Sequence, residues 1–250
     1  MDIETYCFVA AAGFVAAFVD ASAGGGGMIS LPALLLAGIP PLYALGTNKM
    51  ASVMGAFTSF VTFVRSGKMD IPLMKKLFPL SFAGSGIGVL AVQQVPSEFL
   101  RPLIVVLLIV VVLYSIFKKG WDKESQPQHF SGRILALSML AALVMGFYDG
   151  FFGPGTGSIL LFIFLMLGFD FIGATANTKA LNFGSNLAAA IFFGMSGMID
   201  YQLGIFMGVS MIAGAYCGAR FALTKGVAYV RPMFIVVTTL LIGRQLWDLF

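Results

Sequence analysis

Apolar residues fall along this chain in runs of roughly 20, the length an α-helix needs to cross a ~30 Å hydrocarbon core. The period-2 alternation of membrane β-strands is missing. Five such runs occupy the first half, at about residues 6–23, 28–38, 44–64, 71–93 and 99–117, and the pattern recurs from 134 to 250. The second run is short: at 1.5 Å per residue it reaches only about 17 Å, which predicts a half-helix or a strongly tilted one. Lipid offers no partner to a free N–H or C=O, so each spanning segment must satisfy its own backbone hydrogen bonds. The pattern therefore predicts an all-α polytopic membrane protein with about 8–10 membrane segments.

The two halves are related. Setting residues 44–102 against 174–232, a constant offset of 130, gives twelve identities. They include Ala44 and Ala174, Lys49 and Lys179, Ser66 and Ser196, Gly67 and Gly197, Asp70 and Asp200, Gly84 and Gly214, and Gly88 and Gly218. Arg101-Pro102 then falls on Arg231-Pro232; with one residue of slip, Asp20 falls on Asp149 and Gly24 on Gly153. This predicts a first membrane repeat over 1–117, a polar linker over 118–133 and a second repeat over 134–250. Basic residues cluster at Arg65, Lys68, Lys75 and Lys76, at Lys118, Lys119, Lys123 and Arg133, and at Lys225 and Arg231. Such clusters face the cytoplasm. All three share one side only if each half crosses an odd number of times, which makes the repeats inverted in topology. Five crossings per half with a short second helix satisfy this, as do three crossings plus a hairpin that dips in and returns; both put the termini outside. A parallel arrangement of four plus four crossings would leave Lys225 and Arg231 outside and is the less favoured reading.

Composition narrows the class. Hydrophobic residues make up 59% of the 250 and charged residues 10%, against about 25% charged in soluble domains, which excludes a water-facing globule. The formal charge of +4 comes from cations between apolar runs, where they orient the chain, and nucleic acid is not an expected partner. Cys7 and Cys217 lie in apolar stretches and His129 stands alone in the linker. No disulfide, metal or other cofactor is therefore expected. Residues 1–6 carry acids and no Lys or Arg, so the first helix is expected to be retained rather than cleaved as a signal peptide.

Three groups of residues are candidates for handling a substrate. The first is the glycine-rich run Asp20-Ala21-Ser22-Ala23-Gly24-Gly25-Gly26-Gly27 with its counterpart Asp149-Gly150-Phe151-Phe152-Gly153-Pro154-Gly155-Thr156-Gly157. Each opens a short helix and predicts a broken helix, since glycines expose amides that a membrane tolerates only where protein covers them or a cavity adjoins. Free N–H groups and the positive dipole end of the following half-helix suit an anion, and two sites related by inversion would meet near the midplane. Close helix packing is the alternative use of such glycines. The second group is a stripe at helical spacing, Asn48, Ser52, Gly55, Ser59 and Thr62, answered in the second half by Thr178, Asn182 and Ser185 with Asn186 adjoining. It serves either interhelical hydrogen bonding or a transport path.

The third group is Lys49 and Lys179, each early in an apolar helix at the same repeat position. An ammonium at membrane depth is costly and marks a functional candidate, unless the lysine snorkels to the headgroups. Asp20 and Asp149 are candidates to pair with these lysines, to take up protons as coupling groups, or to orient the glycine loops. Asp70 and Asp200 read as turn residues, each following Ser-Gly-X-X and beginning a new helix, and Arg101 and Arg231, each before a proline, as helix-entrance residues.

In these motifs the chain resembles the TauE/SafE family of membrane transporters. The resemblance rests on Asp20-Ala-Ser-Ala-Gly-Gly-Gly-Gly followed by Pro32 and Gly38, and on Ala44-Leu-Gly-Thr-Asn-Lys49. It continues through Gly146-Phe-Tyr-Asp-Gly-Phe-Phe-Gly-Pro154 and Asn177-Thr-Lys179 with Asn182. It implies anion transport, often export of sulfite, sulfoacetate or related sulfur compounds, in the bacterial cytoplasmic membrane. The expected function is a secondary transporter or facilitator of a small anion. Its substrate-binding residues would be Ser22, Gly24, Gly25, Gly26, Gly27, Asn48, Lys49, Ser52, Gly153, Gly155, Thr156, Thr178, Lys179, Asn182 and Ser185. No ATP is needed, since no Walker-type loop is present and efflux of a monovalent anion from an inside-negative cell is downhill by about 2.3 kcal/mol per 100 mV. An anion channel is the first rival; an intramembrane enzyme or a non-transporting assembly protein is more distant, because no convincing nucleophile–base pair or metal cluster is found. The expected partners are a small anion and the lipid bilayer, with a homo-oligomer compatible with both.

Overall fold

The computed structural model describes residues 2–117 and 132–225. The second half's fifth run, Arg231, His129 and most of the linker lie outside these residues. Nine helices are described, with no strand among the described residues. They are α1 (Ile3–Ala23), α2 (Gly27–Leu36), α3 (Pro41–Arg65), α4 (Ile71–Val92), α5 (Ser97–Phe117), α6 (Gly132–Phe151), α7 (Thr156–Met166), α8 (Phe171–Met195) and α9 (Tyr201–Lys225). α1 to α4 correspond in order and length to α6 to α9, and the short second helix recurs as the 10-residue α2 and the 11-residue α7.

Helix starts follow local chemistry. Pro40 and Pro41 set the start of α3, where a ring fixes φ and no N–H is needed. The Asp70 carboxylate accepts the Leu73 amide at 3.0 Å, and the Asp200 carboxylate accepts the Leu203 amide at 3.0 Å. Both aspartates, read as turn residues at the start of a helix, are the N-caps of those helices.

Helix directions can be read from which residues meet. Along α1 and α9 the partners rise together, Tyr6 with Phe206, Gly13 with Met207 and Phe18 with Phe221, so these helices are parallel. α3 is also parallel to α9, since Met50 meets Gly204, Met54 meets Gly208 and Gly55 meets Met211. In the same way α4 runs parallel to α8, with Ser81 on Leu181 and Ser85 on Ser185, and to α6, with Gly84 on Leu143 and Gly88 on Phe147. The equivalent helices α3 and α8 instead cross antiparallel: Gly46 meets Phe193, while Phe57 and Phe60 meet Phe183 at ring separations of 5.3 Å. One set, α1, α3 and α9, therefore opposes the other, α4, α6 and α8. That is an inverted relation between the two halves.

Because α1 and α3 both run parallel to α9, the chain between Ala23 and Pro41 returns to its starting side through α2 and short irregular stretches. Corresponding glycines hold the exchange between halves. A Cβ on Gly84 or Gly88 would collide with the backbone carbonyl of Leu143 or Phe147 on α6; one on Gly214 or Gly218 would collide with that of Phe14 or Phe18 on α1. Gly-x-x-x-Gly on α4 and α9 thus lets backbones approach as small residues do between membrane helices.

α3 and α8 sit at the centre, with Asn48, Gly55 and Ser59 of one stripe and Thr178, Asn182, Ser185 and Asn186 of the other buried. Large apolar side chains on the outer helices, among them Ile87, Leu140, Val144 and Val209, stand exposed, the surface a bilayer would cover. Three described helices are long and apolar enough to cross a membrane: 3–22, 134–151 and 201–224. α3 and α8 fall short of that hydropathy because their inner faces carry Asn, Ser, Thr and Lys, and the bundle rather than lipid solvates those groups.

These directions place Arg65, Lys68, Lys75, Lys76 and Arg220 at one end of the bundle, with the start of α6 and the end of α9. Asp2, Glu4, Glu98 and Asp200 mark the other end. Single cysteines at Lys68 and Met195, in a background lacking Cys7 and Cys217, should therefore be labelled from opposite faces of intact vesicles by an impermeant maleimide. Labelling from the same face would overturn the antiparallel arrangement.

Candidate functional site

The glycine loops meet at the centre of the bundle. α1 ends at Ala23 and is capped by Gly24, which takes φ +80°, and Gly25 follows at φ +98°. Gly153 and Gly155 do the same in the second half, at φ +100° and +86°. A Cβ on Gly24 would strike the backbone of Gly157 and Ser158, and one on Gly27 would crowd Pro154. The two loops thus meet, in backbone-to-backbone contact.

Lys49 and Lys179 lie more than two turns inside α3 and α8, which start at Pro41 and Phe171. Their side chains are 2% and 0% exposed, so neither snorkels. Each is paired with the other half's aspartate. Lys49 Nζ donates to Asp149 Oδ1 at 2.9 Å, and Lys179 Nζ donates to Asp20 Oδ2 at 3.0 Å and also to the Asp20 backbone carbonyl. The Ser185 hydroxyl donates to Asp149 Oδ2. A second reciprocal link lies nearby: the Asp70 amide donates to Asn177 Oδ1 at 2.9 Å and the Asp200 amide to Thr47 Oγ1 at 3.0 Å, and both pairs of positions are equivalent at the 130-residue offset. Thr47 and Asn177 were not among the expected site residues.

One expectation needs correction. The amides opening α2 are not free: Gly25 and Gly26 N–H groups donate to Asp20 Oδ1 at 3.1 and 3.3 Å. The end of α1 folds its own carboxylate onto the amides and positive dipole end of α2, an anion site filled from within. The second loop is closed differently, by Tyr148 Oη on the Pro154 carbonyl at 2.7 Å and Thr156 Oγ1 on the Gly153 carbonyl at 2.7 Å. Lys49 reaches this loop, since a Cβ on Gly153 would lie 2.6 Å from Nζ.

Beside the loops lies a cavity of about 50 Å³, several times the ~10–15 Å³ that one water occupies. Of the expected residues, Asp20, Gly25, Gly26, Gly27, Asn48, Lys49, Ser52, Asp149, Gly153, Thr156 and Asn182 line it, as do Gly55 and Ser59 of the α3 stripe but not Thr62. Ser22, Gly24, Gly155, Thr178, Lys179 and Ser185 do not. Ser22 donates to the Phe18 carbonyl at 2.8 Å within its own helix, Gly24 and Gly155 shape the loops, and Lys179 and Ser185 stand behind the wall holding Asp20 and Asp149. Thr178 Oγ1 is buried without a partner. Ser30 on α2 also lines the cavity; its one signal is being the lone hydroxyl in an apolar half-helix.

The sequence comparisons agree with this architecture. A family model described as sulfite exporter TauE/SafE matches residues 9–244. The chain belongs to the TauE/SafE family. A probable membrane transporter protein of Sinorhizobium sp. is 38% identical over 97% of this chain and 92% of its own length. One from Haemophilus influenzae is 36% identical over 98% and 96%, and YfcA of Escherichia coli K12, also named a probable membrane transporter protein, is 35% identical over 94% and 87%. No solved structure matches the chain. This TauE/SafE chain is thus a membrane transporter, built around two buried lysine–aspartate pairs between its halves.

Those pairs make a stability prediction. Removing one member of a buried pair strands the other charge and costs about 3–5 kcal/mol, whereas removing both is far milder. Lys49→Gln or Asp149→Asn alone should lower the detergent unfolding temperature strongly, and the double variant should recover most of the loss. Additive losses would show that the two groups do not depend on each other. Lys179→Gln should cost less, because its partner Asp20 is 25% exposed.

Proposed function

We propose that this TauE/SafE transporter is a secondary carrier or facilitator of small anions, with sulfite or a sulfur-containing organic anion as its substrate and export as its direction. The observation that carries the reading is the Asp20 carboxylate, which rests on two loop amides, the N-terminal end of α2 and the Lys179 ammonium. Those donors suit a two-oxygen anion, and a substrate anion of similar size takes them by displacing Asp20. At the other loop Lys49 approaches Gly153, and an anion arriving there competes with Asp149. Amide and hydroxyl groups of the α3 and α8 stripes replace water along the way.

Membrane placement follows from charge: the end bearing Arg65, Lys68, Lys75 and Lys76 faces the cytoplasm of a bacterial inner membrane. With an inside-negative potential, a monovalent anion leaves downhill by about 2.3 kcal/mol per 100 mV, so efflux needs no nucleotide. The backbone contact between the loops of opposite halves favours a carrier over an open channel, since an anion must part them to pass.

Proteoliposomes test the reading. Saturable flux of sulfite, thiosulfate or sulfoacetate at fixed voltage, exceeding that of simple carboxylates, is the expected result. Equal leakage of every anion without saturation would replace the carrier by a channel. The paired variant Lys49→Gln with Asp149→Asn, which keeps the interior neutral, should lower initial flux per inserted protein by about tenfold or more, the scale of one lost charge-assisted hydrogen bond. Lys49→Arg should transport poorly, because a planar fork does not copy a compact ammonium. Parent-like flux in the paired variant would remove this lysine from the mechanism.

A further inference from the structure

Away from the central cavity, a groove of about 370 Å³ opens on the flank of the bundle between α3, α4 and α8. Its walls are apolar: Phe60 from α3, Met74 and Phe78 from α4, and Phe183 from α8, whose ring lies 5.3 Å from that of Phe60 and 6.0 Å from that of Phe78. Lys75 is the single charged residue on its lining. From Ile71 to Pro79 the groove follows α4 for about 12 Å at 1.5 Å per residue. That is close to one leaflet's share of a ~30 Å hydrocarbon core. The groove starts at the basic end of the bundle, and Lys75, exposed and one turn into α4, stands near its mouth.

That ammonium is uncompensated. Lys75 and the other cations at this end, Arg65, Lys68 and Lys76, make no ion pair among the described residues. The carboxylates at the starts of α4 and α8 are otherwise engaged, Asp70 with the Leu73 amide and Asp170 with the Gly173 amide, each at 3.0 Å. Orientation of the chain calls for cations at this end. It does not call for one on the wall of an apolar groove. The second half has no such device: at the 130-residue offset Arg65, Lys68, Lys75 and Lys76 fall on Met195, Met198, Ile205 and Phe206. An apolar groove one leaflet long with a free ammonium near its mouth is complementary to an amphiphile with an acyl chain and an anionic head.

We propose that this groove binds an anionic phospholipid of the cytoplasmic leaflet, with one acyl chain along Phe60, Phe78 and Phe183 and the headgroup phosphate on Lys75. Basic pockets between membrane helices on the cytoplasmic side take such head groups. A lysine serves a phosphate as a compact point charge. Lys68 and Lys76 add to the field that draws the head group in. Phe183 also meets Phe57 at 5.3 Å, so the lipid chain lies against the crossing of α3 and α8, the helices that carry Lys49 and Lys179. A bound chain steadies that crossing, and the anionic lipid content of the membrane then sets how firmly the two halves are held. The site rests on the groove and its cation and stands apart from the identity of the transported anion.

The test uses the full-length protein in neutral detergent, with phosphatidylglycerol and phosphatidylcholine of identical chains as probes. Phosphatidylglycerol should bind saturably, at about one tightly held lipid per chain, and raise the unfolding temperature, whereas phosphatidylcholine should do neither. Lys75→Gln should weaken phosphatidylglycerol binding about fivefold, the scale of one cation near an anionic membrane surface, and Lys75→Arg should keep it. Arg220→Gln, which removes a cation that lies over the Tyr216 ring and off the groove, should leave binding unchanged. Phosphatidylglycerol with a photoreactive acyl chain should label α4 or α8 at the groove, and unlabelled phosphatidylglycerol, not phosphatidylcholine, should suppress the labelling. Equal binding of the two lipids overturns the site. Equal weakening by Lys75→Gln and Arg220→Gln overturns it too, by reducing it to diffuse surface charge. Stabilisation by glycerol phosphate alone, without chains, overturns it in favour of a free anion. Disulfide crosslinking of two copies through Phe78→Cys in a background lacking Cys7 and Cys217, undiminished by phosphatidylglycerol, overturns it in favour of a second copy of this chain.

Discussion

Two ammonium groups lie sealed inside a bundle that faces lipid, and the rest of the structure follows from how they are compensated. An isolated charge at such depth is prohibitively costly, so each lysine must meet a carboxylate. Neither half supplies its own. Lys49 finds Asp149 across 100 residues of sequence and Lys179 finds Asp20 across 159. Each half is electrically incomplete until the other docks, which ties the two repeats together more specifically than apolar packing between lipid-like side chains can. The exchanged contacts of α1 with α9 and of α6 with α4 follow the same logic, because only that swap carries Asp20 and Asp149 to the opposite repeat's lysine.

The same requirement orders the helices in depth. α3 and α8 carry both lysines and both polar stripes, so they occupy the centre and cross each other antiparallel. The more apolar α1, α4, α6 and α9 surround them. The half-helices α2 and α7 fit because they need not span: each closes a hairpin whose glycine turn lies against its counterpart. Glycine at 24 and 157 is demanded there by contact, since a side chain would push the opposite loop away.

Much of this was legible in the sequence because it is periodic or duplicated. Run length gave the first half-helix to within two residues, the 130-residue offset gave the equivalent positions, and Asp70 and Asp200 marked by their spacing the starts of two helices. Partner choice was not legible. An offset says that Lys49 and Lys179 are equivalent, but which carboxylate each meets depends on the crossing of α3 over α8. The snorkelling alternative survived on sequence only because hydropathy starts α3 near residue 44; the prolines at 40 and 41 start it earlier and carry Lys49 deeper. Nor does any local pattern say that Asp20 turns back onto Gly25 and Gly26, for the glycine run reads equally well as open amides. Thr47 and Asn177 escaped notice because they differ in type, although they do the same work.

The two loops also show how a duplicated site loses equivalence. Strict twofold symmetry would expose Asp20 and Asp149 equally, yet their side chains are 25% and 5% accessible. The cause is local and readable. Where the first loop has Gly25 and Gly27, the second has Pro154 and Thr156, and both are used: the Pro154 carbonyl accepts Tyr148, and the Thr156 hydroxyl holds the Gly153 carbonyl. These bonds stiffen the second loop without its aspartate, which leaves Asp149 to Lys49 and Ser185 alone. The first loop has the Ser30 hydroxyl on the Gly26 carbonyl but no counterpart of the Tyr148 bond, and Asp20 serves it as well, shared among two amides and Lys179 at the edge of the cavity. A carboxylate held by loop backbone and partly wet gives way more readily than one sealed between a lysine and a serine. The first loop is therefore the weaker of two otherwise matched closures.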